Sequence, residues 1–246
     1  MAQCQPIDRN MEETTAIILA GGLGTRLRTV VSDRPKVLAP VAGRPFVTYL
    51  LDQLRDAGIS DIVLSTGYLA EQFETIIGQC YGDQAIRYCH EESPLGTGGA
   101  VKLAGRMVQR DCALVMNGDS YTDVDLADLV GRHQQQGQDA SLLLVSVDDA
   151  SRYGTVKVGV DGRVVEFLEK QTITGGGLIN SGIYVLGKYL LEEIPDGKCS
   201  LETDVLPNWL RRWQVRAYIT QNPFIDIGIP KAYERSHRFM RRLQHV

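Results

Sequence analysis

Residues 16–27, AIILAGGLGTRL, open as a short β-branched run, break into glycines, and end on Thr25, Arg26 and Leu27. A brief apolar run bounded by glycine reads as a buried strand. Glycines directly after it let the backbone come close to a ligand, so that its N–H groups can meet phosphate oxygens. The carboxyl end of a strand is also where open α/β sheets bind ligands. Two familiar phosphate loops fail. The dinucleotide pattern G-x-G-x-x-G accepts Gly22 and Gly24 but needs a third glycine where Leu27 stands, and the P-loop needs a Lys-Ser/Thr that is missing. What remains is GG-x-G-T-R-L, followed by Lys36 in RPKVLAP, residues 34–40. Arg26 offers a rigid fork of donors and Lys36 a mobile point charge. Together they suit a ligand with several phosphates.

Outward from this loop, short apolar runs alternate with amphipathic stretches. RPFVTYLLDQLRDAG (44–58) has helical spacing and stops at Gly58. DIVLSTG (61–67), IRYCHEE (86–92), CALVMNGD (112–119) and ASLLLVSV (140–147) read as strands, and 69–80, 96–107 and 125–137 as helices. This rhythm predicts a doubly wound parallel sheet in the first half. After residue 150 it changes. GTVKVGVDGRVVEFLEK (154–170) reads as a hairpin turning at Asp161-Gly162. SLETDVLPNWLRRW (200–213) reads as a helix kinked at Pro207, between strand-like runs at 177–187 and 215–228, and 229–243 as a terminal helix. The expectation is one mixed α/β domain over 15–246 behind a flexible leader, 1–14. Its nucleotide-binding half spans about 15–150 and its sugar-binding half about 151–246.

The bulk composition narrows the classes. With 246 residues the chain can bury a sizeable core. A formal charge of −4 gives no general attraction to nucleic acid or anionic membrane, so an anionic ligand needs a local cluster of cations. The five cysteines are odd in number and lack C-x-x-C spacing, which argues against disulfide scaffolds and zinc ribbons and for a reducing cytoplasm. No stretch reads as a signal peptide or a membrane span. The basic stretch YERSHRFMRRL (233–243) reads as a solvated helix face. Homo-oligomerisation stays open.

LAGGLGTRL together with RPKVLAPVAGRP resembles the signature of the sugar-1-phosphate nucleotidyltransferases, enzymes that join an NTP to a sugar phosphate and release pyrophosphate. The resemblance runs from Thr15 almost to the end and implies a Rossmann-like, GT-A-like fold. One departure is RTVVSD (28–33), where many members have a proline soon after the Arg-Leu. The resemblance implies Arg26, Lys36, Asp119 and Asp226 as catalytic residues, with Asp119 and Asp226 holding Mg²⁺. It carries nucleotide contacts to Leu19, Ala20, Gly21, Gly22, Gly24, Thr25, Glu92, Pro94, Gly96, Thr97, Gly98 and Gly118. Gly96, Gly98 and Gly99 would let a flat base lie against backbone, and Glu92 could accept from N1–H and N2–H₂ of a guanine. Gly154, Glu169, Lys170 and Asn180 would hold the sugar phosphate. In EFLEKQ (166–171), Gln171 replaces the family's proline.

Alternative readings accompany these. Glu92 could simply start a capped helix, and Asp119 and Asp226 could be turn formers. Asp123 and Asp125 form the D-x-D of metal-dependent glycosyltransferases, but Asp125 stands directly before LADLV and fits a helix N-cap better. Within the family, the compact length, ESPLGTGGA (92–100) and NGDS (117–120) resemble the branch that guanylylates D-glycero-α-D-manno-heptose 1-phosphate for capsule or surface polysaccharide. That implies GTP as the nucleotide, with mannose- or glucose-1-phosphate transfer as the alternative.

Overall fold

The computed structural model describes residues 13–168 and 175–243. Its elements, in chain order, are β1 (Thr14–Leu19), β2 (Pro40–Val41), β3 (Arg44–Pro45), α1 (Val47–Asp56), β4 (Asp61–Thr66), α2 (Glu71–Ile76), β5 (Cys80–Tyr81), β6 (Gln84–His90), α3 (Gly96–Gly105), β7 (Cys112–Asn117), β8 (Ser120–Thr122), α4 (Leu126–Gln135), β9 (Ala140–Val147), β10 (Thr155–Val158), β11 (Val164–Leu168), β12 (Gly177–Gly187), α5 (Lys188–Glu193), α6 (Leu206–Arg212), β13 (Val215–Thr220), β14 (Phe224–Asp226) and α7 (Pro230–Leu243). Thr14, read as the end of the leader, is the first residue of β1, because its backbone pairs with Cys112.

β1 is the axis of the main sheet. It pairs in parallel with β4 on one side and β7 on the other, and β4 pairs in parallel with β6. The chain therefore moves away from β1 through β4 and β6, then returns to β7 on the opposite flank. The loops after β1 and β7 part at this switch point and leave a crevice at the strands' carboxyl ends. Beyond β7 the sheet turns antiparallel through β12, which also pairs with β9, and β13 joins β9 in parallel. A doubly wound first half and a mixed second half are what the sequence predicts.

Period-two alternation splits the core into two layers. Ala16 and Ile18 of β1 face Leu50 and Leu54 of α1, Phe73 of α2 and Leu129 of α4. Ile17 faces Val101 of α3, Leu190 of α5 and Trp209 of α6. A smaller cluster of Val41, Phe46, Ile225, Ile227 and Met240 seats α7 on β14 and the β2–β3 hairpin.

Three local expectations change in detail. The hairpin loop between β10 and β11 is closed by Gly159 N–H to the Arg163 carbonyl, so three residues, not two, make the turn. The predicted kink at Pro207 is a π-helical turn, Leu201–Val205, after which Pro207 occupies the first turn of α6, where a missing N–H costs nothing. β12 carries a bulge between Asn180 and Tyr184, with Gly182 in the left-handed region. The bulge lets β12 pair with β10 at Ile179 and with β7 from Ile183 onward.

His133 of α4 is buried, with Nδ1 3.0 Å from the Ser141 hydroxyl of β9. Burial pulls its pKa from 6.5 down to about 4. Between these values the unfolded chain binds a proton that the folded chain refuses. This group therefore lowers stability as pH falls through that window, by about 1.4 kcal/mol per unit. Urea denaturation of the wild type and His133→Asn at pH 7 and pH 5 should show a smaller acid-side loss in the variant. An equal loss would mean that His133 is not the group responsible.

Candidate active site

Two concavities meet above the switch point. The first is a crevice of about 340 Å³ lined by the glycine loop after β1, Lys36, the start of α3 and the end of β7. The second is a pocket of about 1140 Å³ lined by Arg26, Tyr153, Gly154, Asn180, Glu202 and Asp226 among others. Asp119 belongs to the first and Asp226 to the second, so the two carboxylates stand at the seam.

Backbone pairing brings these carboxylates together. β14 runs antiparallel to β8, with Asp226 opposite Ser120, and the Ile227 N–H donates to the Asp119 carbonyl at 2.8 Å. A β-carbon placed on Gly228 would stand 3.0 Å from Asp226 Oδ1, 3.6 Å from an Arg26 guanidinium nitrogen and 3.8 Å from Asp119 Oδ2. Three stretches distant in sequence, at Arg26, Asp119 and Asp226–Gly228, thus converge on one point. Lys36 pairs directly with Asp119. Asp226 accepts from the Tyr153 hydroxyl at 2.5 Å and from Arg152 at 3.4 Å through Oδ2, and from the Gly228 N–H at 3.0 Å through Oδ1. Burial, with help from the Asp226 charge, raises the Tyr153 pKa well above that of a free phenol, so Tyr153 stays a donor.

Among the described residues no group of three His, Cys, Asp or Glu side chains could hold a metal ion. Two facing carboxylates without a third protein ligand suit a hard cation that takes its remaining ligands from phosphate and water, the habit of Mg²⁺.

Of the expected nucleotide residues, Leu19, Ala20, Gly21, Gly22, Pro94, Gly96 and Thr97 line the crevice. The amides of residues 21–26 find no acceptor among the described residues. Leu27 is 1% exposed and packs with Val31 and Ala39, which anchors the far end of the loop. Gly24 and Thr25 sit on that loop outside the crevice lining. The Thr97 hydroxyl is bound away from the crevice, donating to Glu202 Oε2 at 2.7 Å and accepting from Leu201 N–H at 2.8 Å.

Three positions do other work. Gly98 is buried, donates its N–H to the Cys199 carbonyl at 3.0 Å, and has no room for a β-carbon, as is true of Gly99 against Gly197. These glycines seat α3 on the 197–201 segment, and neither lines the crevice. Gly118 is buried under the crevice, with its N–H on the Leu19 carbonyl at 2.9 Å. Glu92 is exposed and outside the crevice, whereas Glu91 lines it at 8% exposure. Glu91 accepts from the Ser65 hydroxyl at 3.2 Å and from Leu95 N–H at 3.1 Å, and a side chain on Gly21 would overlap its carboxylate. Strand alternation carries the signal for this: Glu91 shares parity with buried Cys89, and Glu92 with exposed His90. Gly154 and Asn180 line the second pocket. Glu169 and Lys170 lie outside the described residues. Asp125 caps α4, accepting from Asp128 N–H at 3.0 Å, and it lines, with Asp123, a separate depression near Arg44 and Tyr49.

A GT-A-like sheet with a glycine loop, paired cations and paired carboxylates at its switch point defines a nucleotide-activating transferase. The nucleotidyl transferase family model matches residues 15–242, and the chain belongs to that family. D-glycero-alpha-D-manno-heptose 1-phosphate guanylyltransferase of Aneurinibacillus thermoaerophilus is 41% identical over 94% of this chain and 98% of its own. Mannose-1-phosphate guanylyltransferase of Mycobacterium tuberculosis is 37% identical over 91% of this chain and 63% of its own. Among solved structures, HddC from Yersinia pseudotuberculosis complexed with GMP-PN superposes with a TM-score of 0.82 at 36% identity, covering 92% of this chain and 99% of that one.

Gly228 keeps the gap between the carboxylates open, and its φ is not in the left-handed region. Gly228→Ala should therefore cut turnover on the order of 10- to 100-fold through a displaced Asp226, while the thermal midpoint moves by only a few degrees. Paired rate and melting measurements check this; unchanged turnover would show that the gap is not used.

Proposed function

We propose that the protein transfers a guanylyl group from GTP to D-glycero-α-D-manno-heptose 1-phosphate, releasing pyrophosphate and forming a GDP-heptose for surface polysaccharide. The reaction would run in the cytoplasm. The observation that carries the transfer is the seam. A loop of unspent amides beside Lys36 opens onto Asp119, and across Gly228 lies a second pocket with Asp226 and Arg26.

The chemistry needs little acid or base. A sugar-phosphate oxygen, already anionic, attacks the α-phosphorus of the nucleotide; the new P–O bond forms as the bond to pyrophosphate breaks. The barrier lies in the repulsion between two anions and in charge growing on the leaving group, so catalysis is positioning and electrostatic stabilisation. The loop amides hold the triphosphate, Lys36 neutralises the reacting phosphates, and Arg26 takes up charge on the departing pyrophosphate. Asp119 and Asp226 fit a Mg²⁺ ion, which when bound supplies positive charge at the phosphate oxygens. Lys170 would seat the incoming phosphate and Glu169 a sugar hydroxyl.

Guanine choice rests on Glu91. Its carboxylate sits in the crevice wall with two lone-pair positions unoccupied, enough for the N1–H and N2–H₂ edge. The heptose rests on the likeness to the Aneurinibacillus enzyme, whose length this chain matches almost end to end. Mannose 1-phosphate is the second reading, favoured by the mycobacterial relative.

Pyrophosphate release, measured with Mg²⁺ over a panel of NTPs and sugar 1-phosphates, should peak with GTP and the heptose phosphate. A peak with mannose 1-phosphate would select the second reading, and silence from every pair would refute transfer. Glu91→Gln should lower the preference for GTP over ATP by 10-fold or more, since a hydrogen bond to a charged group is worth about 1.5–3 kcal/mol. An unchanged preference would move guanine recognition elsewhere.

A further inference from the structure

The second pocket holds a carboxylate that none of the assigned roles uses. Glu202 sits on the π-helical turn and lines the pocket beside Asn180. Its Oε2 accepts from Thr97 at 2.7 Å and from Ser200 at 3.0 Å, and its Oε1 accepts from the Tyr184 hydroxyl at 2.9 Å. Three of about four lone-pair positions are taken, and one on Oε1 is left.

The directions in this network are fixed by chemistry. Asn180 Nδ2 can only donate, so the Tyr184 oxygen, 2.6 Å away, accepts from it. The Tyr184 proton then has one destination, the Glu202 carboxylate. Asn180 is oriented independently, because its Oδ1 accepts from Gly182 N–H at 3.1 Å on the β12 bulge. Tyr184 is fully buried, and the Thr97 anchor comes from the first turn of α3. The result is a rigid pair facing one cavity: a spare N–H on Asn180 and a spare lone pair on Glu202. A hydroxyl is both donor and acceptor, and such a pair can bind one in a single orientation. A phosphate, which only accepts, would be repelled by Glu202.

We propose that Glu202 is a sugar-selecting residue, which accepts a hydrogen bond from one ring or side-chain hydroxyl of the sugar 1-phosphate while Asn180 donates to the same hydroxyl or its neighbour. This deepens the transfer reading and rests on it. The carboxylate sets which hydroxyl pattern is accepted and takes no part in breaking or making a phosphate bond. Its position on α3's partner segment also means that sugar selection is anchored on the same helix turn that borders the nucleotide crevice.

The test uses the full chain, GTP, and the sugar 1-phosphate that the wild type turns over best, together with its monodeoxy analogues. The wild type should lose on the order of 10- to 100-fold in kcat/KM with one analogue in particular. Glu202→Gln should lose a similar factor with the parent sugar, mainly in the KM for the sugar phosphate, and show no further loss with that analogue. Its KM for GTP should stay within about 3-fold. Tyr184→Phe, which removes only the hydroxyl that orients the carboxylate, should soften the same single penalty, and it decides the matter if Glu202→Gln does not fold. If both folded variants, or Tyr184→Phe alone, keep the wild-type pattern of analogue penalties, Glu202 is structural and the proposal is wrong. A wild type that releases no pyrophosphate from any pair overturns the transfer reading itself, and this inference with it.

Discussion

Two like charges held side by side are the constraint on which the site depends. Asp119 and Asp226 would separate if each were free to choose its surroundings. The three-residue ladder between β8 and β14 denies them that choice by fixing their backbones in register. The fold then offsets the repulsion with partners of the right sign or polarity: Lys36 on Asp119, and Arg152, Tyr153 and the Gly228 amide on Asp226. None of these partners saturates the two groups, since a carboxylate pair has about eight lone-pair positions. What is left is an ordered pair of carboxylates with free lone pairs between two cavities, with Arg26 close by. Such an arrangement is a poor way to stabilise a protein and a good way to receive a cation with its phosphates.

The two cavities are built by different physics. The first crevice follows from parallel topology, because reversing strand order at β1 opens space at the carboxyl ends, and Gly21 keeps that space clear beside Glu91. The second pocket follows from irregularity: a bulge in β12, a π-helical turn at Leu201–Val205, and antiparallel strands that splay away from the parallel core. Irregular backbone can aim side chains that regular strands cannot. The regular half suits a ligand part common to many reactions, and the irregular half suits the part that varies.

Much of this was legible in the residues. The run at 15–20 reads as a buried strand because it is short, β-branched and largely apolar, and the missing glycine and lysine exclude two phosphate loops for GGLGTR, leaving a plain turn open without the family resemblance. The N-cap role of Asp125 followed from its place before an apolar helix. The meeting of Asp119 with Asp226 was not legible from spacing, since only tertiary pairing brings them together; resemblance supplied it. Glu91 and Glu92 were separable only by strand parity, which fixes the outward neighbour as solvent-facing. The packing of Gly98 on Cys199 was not legible because glycine serves two ends, close approach of a ligand and close approach of chain, and composition alone does not tell them apart. Glu202 was invisible because its meaning lies in three hydroxyls contributed by Thr97, Tyr184 and Ser200.

The β8–β14 pairing also has a consequence for the order of assembly. The crevice after β1 takes its lining from residues between Leu19 and Asp119, but its α3 wall is seated on the later 197–201 segment. Asp226 arrives near the end of the chain, and α7, which clamps β14, reaches back to the start: the Ala42 amide donates to His237 across 195 positions. Such long closures form late, because loop entropy must be overcome before they repay it. Until that closure Asp119 lacks its partner carboxylate, and until residues 197–201 are in place α3 lacks the segment that seats Gly98 and Gly99. Docking of the final strand and helix is then the event that completes the seam between the two cavities.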